Sequence, residues 1–172
     1  ESIVVYRDTI LFLWHDGVYQ WDKDGLICVS DRAGVGSWFK SGSVFNPGMF
    51  SQAFAVFDQL HQRYRLFLCT PTSIVPDRWV EYSLLTGKFY GPHLTNAFTP
   101  TCAFGVRGVD DRTYSMIGSR EGYISQDIYG RSDWDLFPIP MRVTTAGHDG
   151  DSPNDEKYFG HLSVYTLKEA AG

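Results

Sequence analysis

The hydrophobic positions of this chain fall into short runs separated by turn residues. In Thr9 to Asp22, the apolar segments on either side of Asp16-Gly17 fit the two strands of a β-hairpin, because Asp-Gly favours the two-residue turn that joins such strands. The same order of apolar strand, polar turn and aromatic-rich return strand recurs at Tyr64 to Leu84 and at Thr113 to Asp127. The pattern predicts that the chain is built from copies of one β unit.

Each copy of the unit is expected to be a four-stranded antiparallel meander. The predicted strands of the three copies are Ser2 to Tyr6, Thr9 to Trp14, Val18 to Trp21 and Leu26 to Val29; Ala53 to Phe57, Tyr64 to Thr70, Arg78 to Leu84 and Lys88 to Tyr90; and Thr101 to Val106, Thr113 to Ile117, Gly122 to Gln126 and Trp134 to Phe137. We expect a long ordered loop over Ser30 to Gln52, where the apolar residues follow no strand or helix period. We expect an exposed loop over Pro71 to Asp77, because its two prolines cannot donate to a strand ladder.

Repeated four-stranded meanders are typical of a β-propeller, in which the blades pack face to face. This arrangement would explain why Thr9 to Trp14 is apolar on both faces, since neighbouring blades cover a middle strand from both sides. We therefore predict an all-β fold, a β-propeller-like array of antiparallel meanders, with helix in less than about a tenth of the residues. A β-sandwich is the alternative fold.

The array is expected to form a single all-β domain or fragment over residues 1–172, with units near 2–29, 53–91, 99–137 and 139–167. The last unit has only two predicted strands, Ile139 to Thr145 and Lys157 to Leu167. Because propellers usually have about four to eight blades, the array is expected to be incomplete. The sequence also begins at Glu1 rather than at Met, so we expect it to be a piece of a longer polypeptide.

Composition indicates a β-rich chain that binds neither nucleic acid nor membrane. Aromatic residues make up 16% of the chain, and they suit the pleated, half-buried surface of strands. The net charge is −5 and the Lys and Arg residues are scattered, so no basic stripe can neutralise a row of phosphates. No run approaches the roughly 18 apolar residues that cross a bilayer, and we expect no membrane insertion.

Candidate metal ligands and thiols have a simpler structural interpretation. Cys28, Cys69 and Cys102 lie far apart in apolar, strand-like surroundings and are expected to be buried, inert thiols. The segment His148 to Glu156 is rich in oxygen ligands but lacks the spacing of a calcium loop, so we expect a solvated hairpin tip. The acidic segment Asp22 to Gly25 fits a tight turn. We assign no metal and no cofactor to the chain.

Candidate catalytic groups are equally sparse. Glu81, Glu121 and Asp127 lie near predicted strand ends, yet nothing in the sequence pairs two of them across a cleft, as glycoside hydrolysis requires. His15 and Asp16 are adjacent, which in a strand directs their side chains to opposite faces. Neither a G-x-S-x-G turn nor a glycine-rich phosphate loop occurs. We predict a protein that is not an enzyme and has no catalytic residues.

A family resemblance rests on the residue patterns of several predicted strands. It is carried by Ile10 to Leu13 before His15 to Tyr19, by Ala55 to Asp58 before Tyr64 to Phe67, and by Lys157 to Gly160 at the start of a strand. In these stretches the chain resembles the propeller-type virion proteins of tailed bacteriophages, which are found in the tail and neck. The resemblance implies a non-enzymatic structural part of a virion, held in a ring by contacts with copies of itself and with neighbouring virion proteins.

An incomplete array of blades would leave an apolar surface exposed. Three meanders and a remnant would expose the flank of at least one blade, and a flank rich in Phe, Tyr and Val is costly to leave in water. We expect another copy, another virion protein or a further part of the polypeptide to cover it. The alternative function is a carbohydrate-binding or glycan-cleaving propeller that recognises a host cell surface, for which a concave pocket floored by aromatic rings is expected.

Overall fold

The computed structural model describes residues 2–95, 99–122 and 124–126, and the backbone of residues 133–134 and 137–138. Strands account for 50% of the structure and helices for 12%, which confirms the predicted all-β class. The helical share is slightly above the expected tenth. The chain divides into two units, Glu1–Pro140 and Met141–Gly172, and the second lies outside the described residues.

The first sheet is the predicted meander. It contains β1 (Val4–Tyr6), β2 (Thr9–Trp14), β3 (Gly17–Asp22) and β4 (Gly25–Cys28), which pair antiparallel in that order. The turn between β3 and β4 is fixed by Asp22, whose Oδ1 accepts a hydrogen bond from the Asp24 amide at 2.8 Å. Gly25 closes this turn with a φ of 113°, a conformation that a side chain would strain.

The connection to the second sheet corrects the prediction of a loop over Ser30 to Gln52. It contains two single-turn helices, α1 (Val29–Arg32) and α2 (Ser37–Lys40), and a 3-10 helix (Pro47–Gln52). These turns form because of the packing of the aromatic residues that follow no strand or helix period in the sequence. Phe39 and Phe45 are fully buried with ring centroids 5.4 Å apart, and Phe39 also contacts Phe50 and Phe89. Tertiary packing of these rings determines the local turns.

The second sheet is a complete meander of β5 (Phe54–Asp58), β6 (Arg63–Leu68), β7 (Arg78–Ser83) and β8 (Lys88–Leu94). The last strand is longer than the predicted Lys88 to Tyr90 and carries an irregularity opposite Trp79 and Glu81. Residues 71–77 form no strand, and Ile74 is 80% exposed, which confirms an exposed loop although Pro76 is buried. Asp77 fixes the base of this loop by accepting hydrogen bonds from the amide and hydroxyl of Thr70.

The third sheet departs from the prediction at its outer strand. It contains β9 (Pro100–Arg107), β10 (Thr113–Ser119) and β11 (Ile124–Gln126), in the order β11-β10-β9. The predicted fourth strand, Trp134 to Phe137, is wrong: within the described backbone, β12 (Asp133–Trp134) and β13 (Phe137–Pro138) pair with each other as a separate two-stranded antiparallel sheet. The predicted strands Ile139 to Thr145 and Lys157 to Leu167 lie outside the described residues.

The second sheet lies between the other two and is covered on both faces. The larger core cluster joins Leu11, Leu13 and Val18 of the first sheet to alternate residues of β5 to β7, among them Tyr64 and Leu66. A smaller cluster on the opposite face joins Phe54, Val56 and Phe67 to Ile117 and Ala103 of the third sheet. As predicted, β2, β6 and β10 occupy inner positions of three separate sheets, and none of these sheets closes on itself.

Candidate functional site

A cluster of charges lies on the face of the second sheet that packs towards the third sheet. Arg65 of β6 and Glu81 of β7 are direct cross-strand partners, and only 5% and 4% of their surfaces are exposed. The Arg65 Nε and Nη2 atoms donate to Glu81 Oε1 at 3.0 and 2.6 Å, and Arg63 Nη1 donates to Glu81 Oε2 at 2.8 Å. Both carboxylate oxygens are therefore held by guanidinium groups. We call Arg63, Arg65 and Glu81 the buried ion cluster.

A row of rings runs beside the buried ion cluster. The cross-strand register places Phe54, Phe67, Trp79 and His93 side by side on the four strands of the second sheet. Their ring centroids are 4.9 Å apart for Phe54 and Phe67, 6.4 Å for Phe67 and Trp79, and 4.2 Å for Trp79 and His93. The Arg65 guanidinium lies 4.7 Å from the Trp79 ring centroid, within the range of a cation–π contact. The rings and the charges thus form one packed layer.

His93 is the titratable group in this layer with a perturbed pKa. Burial lowers its pKa below the usual value, since the protonated ring would lose water; the positive charges of Arg65 and Arg63 act in the same direction and Glu81 opposes them. Among the described residues, neither His93 Nε2 nor the buried Ser115 hydroxyl has a hydrogen-bond partner. The layer therefore places a buried imidazole with a lowered pKa next to an occupied ion cluster.

The structure separates the carboxylates that the sequence singled out. Glu81 is buried in the ion cluster, whereas Glu121 is exposed in the turn between β10 and β11. Glu121 accepts hydrogen bonds from the Ser119 hydroxyl at 2.7 Å and from the Thr99 amide, and these bonds lower its pKa to about 2. Asp127 lies outside the described residues. Glu81 is buried with both oxygens engaged by arginines, so it does not line an open cleft opposite Glu121, as glycoside hydrolysis needs.

His15 and Asp16 form no relay. The His15 Nδ1 and Asp16 Oδ1 atoms are 3.7 Å apart, which is too long for a hydrogen bond. Asp16 Oδ1 instead accepts a hydrogen bond from the Tyr19 hydroxyl at 2.9 Å, and this bond is the main reason for the raised pKa of Tyr19. His15 and Asp16 are therefore residues of the turn between two strands.

The thiols are more varied than expected. Only Cys69 is buried; Cys28 is partly exposed and Cys102 is exposed, so the prediction of three buried thiols is wrong for these two. No described residue covers the strand face that carries Cys102. The apolar neighbours of Cys102 in the sequence therefore do not determine whether its thiol is buried.

The part of the chain that the structure describes contains neither a metal-holding cluster nor a membrane-spanning helix. No group of three His, Cys, Asp or Glu side chains there could hold a metal ion, and no helix there has the length and apolar character to cross a membrane. The acidic segment His148 to Glu156 lies outside the described residues.

The outer face of the first sheet is the most conspicuous open surface. Val5, Ile10, Trp21 and Leu26 are cross-strand partners and form an apolar row over all four strands. The residues of this face that are more than half exposed are Ile3, Val5, Trp14, Trp21 and Leu26. Phe12 stacks on Tyr19 between them, with ring centroids 5.8 Å apart. We call this surface the first-sheet face.

A second apolar surface lies at the other end of the stack. In the third sheet, Phe104, Val106 and Ile124 are exposed, and the register places Phe104 beside Met116 and Val106 beside Tyr114. Ile117, one position away on β10, points to the opposite side and packs on the second sheet. We call the surface of Phe104, Val106, Ile124, Cys102 and Met116 the third-sheet face.

Sequence reasoning missed the buried ion cluster and the row of rings. The signal was present in the alternation of β6, where Arg63, Arg65 and Phe67 share one face, and of β7, where Trp79 and Glu81 do. Two Arg residues in a predicted buried strand, with one acidic residue in the next strand, indicate a cross-strand ion pair. Register is needed to recognise the pair, and hydrophobicity alone does not supply it.

Comparison with known proteins adds no relative: no family model, no curated protein and no solved structure matches the chain.

Proposed function

We propose that this chain is a non-enzymatic structural component of a virion, a β-propeller-type part of a phage tail or neck assembly. The observation that carries the proposal is the first-sheet face, with two Trp, one Leu, one Ile and one Val each more than half exposed. All five lie on one face of one sheet, and each of the two Trp side chains alone carries about 150–250 Å². Monomeric proteins rarely expose contiguous apolar patches larger than a few hundred Å², and larger patches mark interaction sites.

The propeller part of the proposal is supported by the way the sheets succeed one another. The three sheets stack in chain order, and the first strands of successive sheets are neighbours, since β5 contacts both β1 and β9. Tyr6 of β1 stacks on Phe57 of β5 with ring centroids 4.3 Å apart. Blades arranged about an axis bring their first strands together in this manner.

The structural role is favoured over catalysis by the state of the buried groups. Both carboxylate oxygens of Glu81 accept hydrogen bonds from arginines, and the residue lies in a packed layer. Glu81 is therefore not available to exchange a proton with a substrate. An occupied ion cluster of this kind fixes the register of two strands. It suits a rigid building block, and the virion assignment itself rests on the family resemblance of the strands.

Sedimentation velocity of the purified chain at micromolar concentration tests the proposal. We expect the wild type to self-associate, Trp21→Glu to be shifted strongly towards monomer, and the control Ile74→Glu to behave as the wild type. Ile74 is a suitable control because it is also an exposed aliphatic residue but lies in the loop of residues 71–77. A folded wild-type monomer over this concentration range contradicts the proposal.

The second candidate function is recognition of a cell-surface carbohydrate, favoured by the exposed rings of Trp14 and Trp21 on the first-sheet face. Exposed indole rings bury a large apolar area at a binding surface and carry one N–H donor. Binding to a glycan array that is lost in Trp14→Ala and Trp21→Ala but retained in Ile74→Ala supports this function. No binding by the wild type excludes it for the glycans displayed.

A further inference from the structure

We infer that His93 makes the junction between the second and third sheets sensitive to pH: protonation of its ring opens this junction, while the first sheet stays packed on the second. The movement lies within one chain, so it goes beyond the proposed function, which concerns assembly. Three observations support it: the place of His93 in the chain, the surroundings of its ring and the unequal size of the two junctions.

His93 lies where the chain leaves the second sheet for the third. It is the next-to-last residue of β8, the outer strand of the second sheet, and β9 of the third sheet begins at Pro100. Just beyond β8, the Thr95 amide donates a hydrogen bond of 3.3 Å to the Asp77 carbonyl. The stacking of His93 on Trp79, with ring centroids 4.2 Å apart, therefore helps to hold the start of this connection on the second sheet.

The ring of His93 is placed so that a second proton on it is costly. Its Nε2 atom is buried without a hydrogen-bond partner among the described residues, and protonation would give this atom a charged N–H with no acceptor. Trp79 would attract a charged imidazole, but the Arg65 guanidinium already lies 4.7 Å from the same ring. Burial, Arg65 and Arg63 all lower the pKa of His93, and Glu81 opposes them. A protonated ring is therefore more stable where Nε2 reaches water.

The described residues of the third sheet add no charge to this layer. Those that face the second sheet are uncharged: Ala103, Ile117 and, by the alternation of β10, Ser115. Arg107 shares a face of β9 with Ala103, but it is exposed at the last position of that strand and pairs with Asp111. Glu121 is exposed, and its carboxylate already accepts a hydrogen bond from the Ser119 hydroxyl. No described carboxylate of the third sheet is therefore placed to neutralise a protonated His93.

The junction of the second and third sheets is the smaller of the two. Among the described residues, four buried hydrophobic side chains form its cluster, whereas fourteen form the cluster that joins the first and second sheets. Because the free energy of apolar burial is roughly proportional to the area covered, less of it holds the third sheet in place. A charge buried at this junction should therefore open it before the larger cluster is disturbed.

Hydroxyl-radical footprinting of the dilute chain at pH 7.5 and pH 5 tests the inference, because it reports on each ring separately. Phe54 and Phe67 belong to the smaller cluster, and Phe39 and Phe45 of the larger cluster are internal references. We expect the oxidation of Phe54 and Phe67 relative to the references to rise at pH 5. A ring that titrates near a pKa of about 6.5 in the open junction and stays neutral in the closed one raises the open population by up to about 30-fold.

Variants assign the effect to His93. His93→Phe keeps a ring beside Trp79 and should abolish the rise at pH 5, whereas His15→Gln replaces an exposed histidine and should retain it. If circular dichroism shows that His93→Phe folds poorly at pH 7.5, His93→Gln takes its place, since it also carries no titratable ring, and it should abolish the rise as well.

Three results would overturn the inference. The first is an unchanged oxidation of Phe54 and Phe67 in the wild type at pH 5. The second is an equal rise in the variants of His93, which would assign the pH dependence to other groups. The third is a joint rise of Phe39 and Phe45 with the two reporters, which would mean that the whole chain unfolds. None of these results bears on the proposed assembly, which sedimentation velocity tests separately.

Discussion

Arg65 and Glu81 face each other directly across β6 and β7, and the Arg65 Nη2 and Glu81 Oε1 atoms are 2.6 Å apart. Both residues are almost fully buried between the second and third sheets. Two charges in such a place are tolerated only when each is paired, because removing an ion from water costs several kcal/mol. The pair therefore fixes one register of β6 on β7, and a shift of one residue would bury an unpaired charge.

Glu81→Gln tests the role of this pair in stability. Removing the carboxylate charge leaves arginine charge in the interior, so we expect the free energy of unfolding to fall by about 3 kcal/mol, measured by urea denaturation. Asp24→Asn is the control, since Asp24 is exposed in the turn between β3 and β4, and it should cause a much smaller loss. Equal losses in the two variants would show that the buried ion cluster has no special role.

The stability of the fold should depend on pH through His93. Burial lowers its pKa in the folded chain, so the unfolded chain binds a proton at a higher pH than the folded chain does. The contribution is fully present above the unfolded pKa of about 6.5 and is lost as pH falls from there towards the lowered folded pKa. His93→Phe keeps a ring beside Trp79 but removes the titration.

Chemical denaturation at pH 7.5 and pH 5 measures this dependence. We expect the loss of stability between the two pH values to be smaller in His93→Phe than in the wild type. His15→Gln, in which an exposed histidine is replaced, should retain the wild-type loss. An unchanged pH dependence in His93→Phe would mean that other groups are responsible.

The thiols should differ in reactivity by orders of magnitude. Burial, with a smaller effect of Asp77, raises the pKa of Cys69 to about 11, and its side chain is almost inaccessible, whereas Cys102 is exposed. Because the thiolate is the reactive form, a disulfide reagent should label Cys102 rapidly and Cys69 only after unfolding. The labelling should be followed on dilute Cys28→Ser protein, since Cys28 is partly exposed, and a further Cys102→Ser substitution should abolish the fast phase. Rapid labelling of Cys69 in the folded chain would contradict its burial.

The sequence was sufficient for the strand order because alternation and turn residues are local signals. Asp16-Gly17 and Asp22 to Gly25 each determine a turn by their own backbone and side-chain preferences, and both turns occur where they were predicted. The exposed apolar flank was also expected, because the predicted meanders are too few to close a propeller. These properties depend on residues close together in the chain.

The features that escaped prediction depend on contacts between distant segments. The short helices between Val29 and Gln52 exist because Phe39 packs on Phe89, fifty positions away, and no local period records this contact. The ion cluster depends on the register between β6 and β7, and the exposure of Cys102 depends on what lies over the third-sheet face. The third meander also ends differently from the prediction. No local signal in the segment Trp134 to Phe137 indicates that its two end residues pair with each other instead of belonging to one strand.

We expect the first-sheet face to be covered in the functional assembly. Hydroxyl-radical footprinting with mass spectrometry measures this directly, by comparing the oxidation of side chains in the assembled chain and in the dilute monomer. We predict that Trp14 and Trp21 are protected in the assembly while Ile74 and Leu85, which are exposed elsewhere on the surface, react equally in both states. Oxidation of Trp14 and Trp21 at the monomer rate in the assembled chain would contradict the proposed covering of this face.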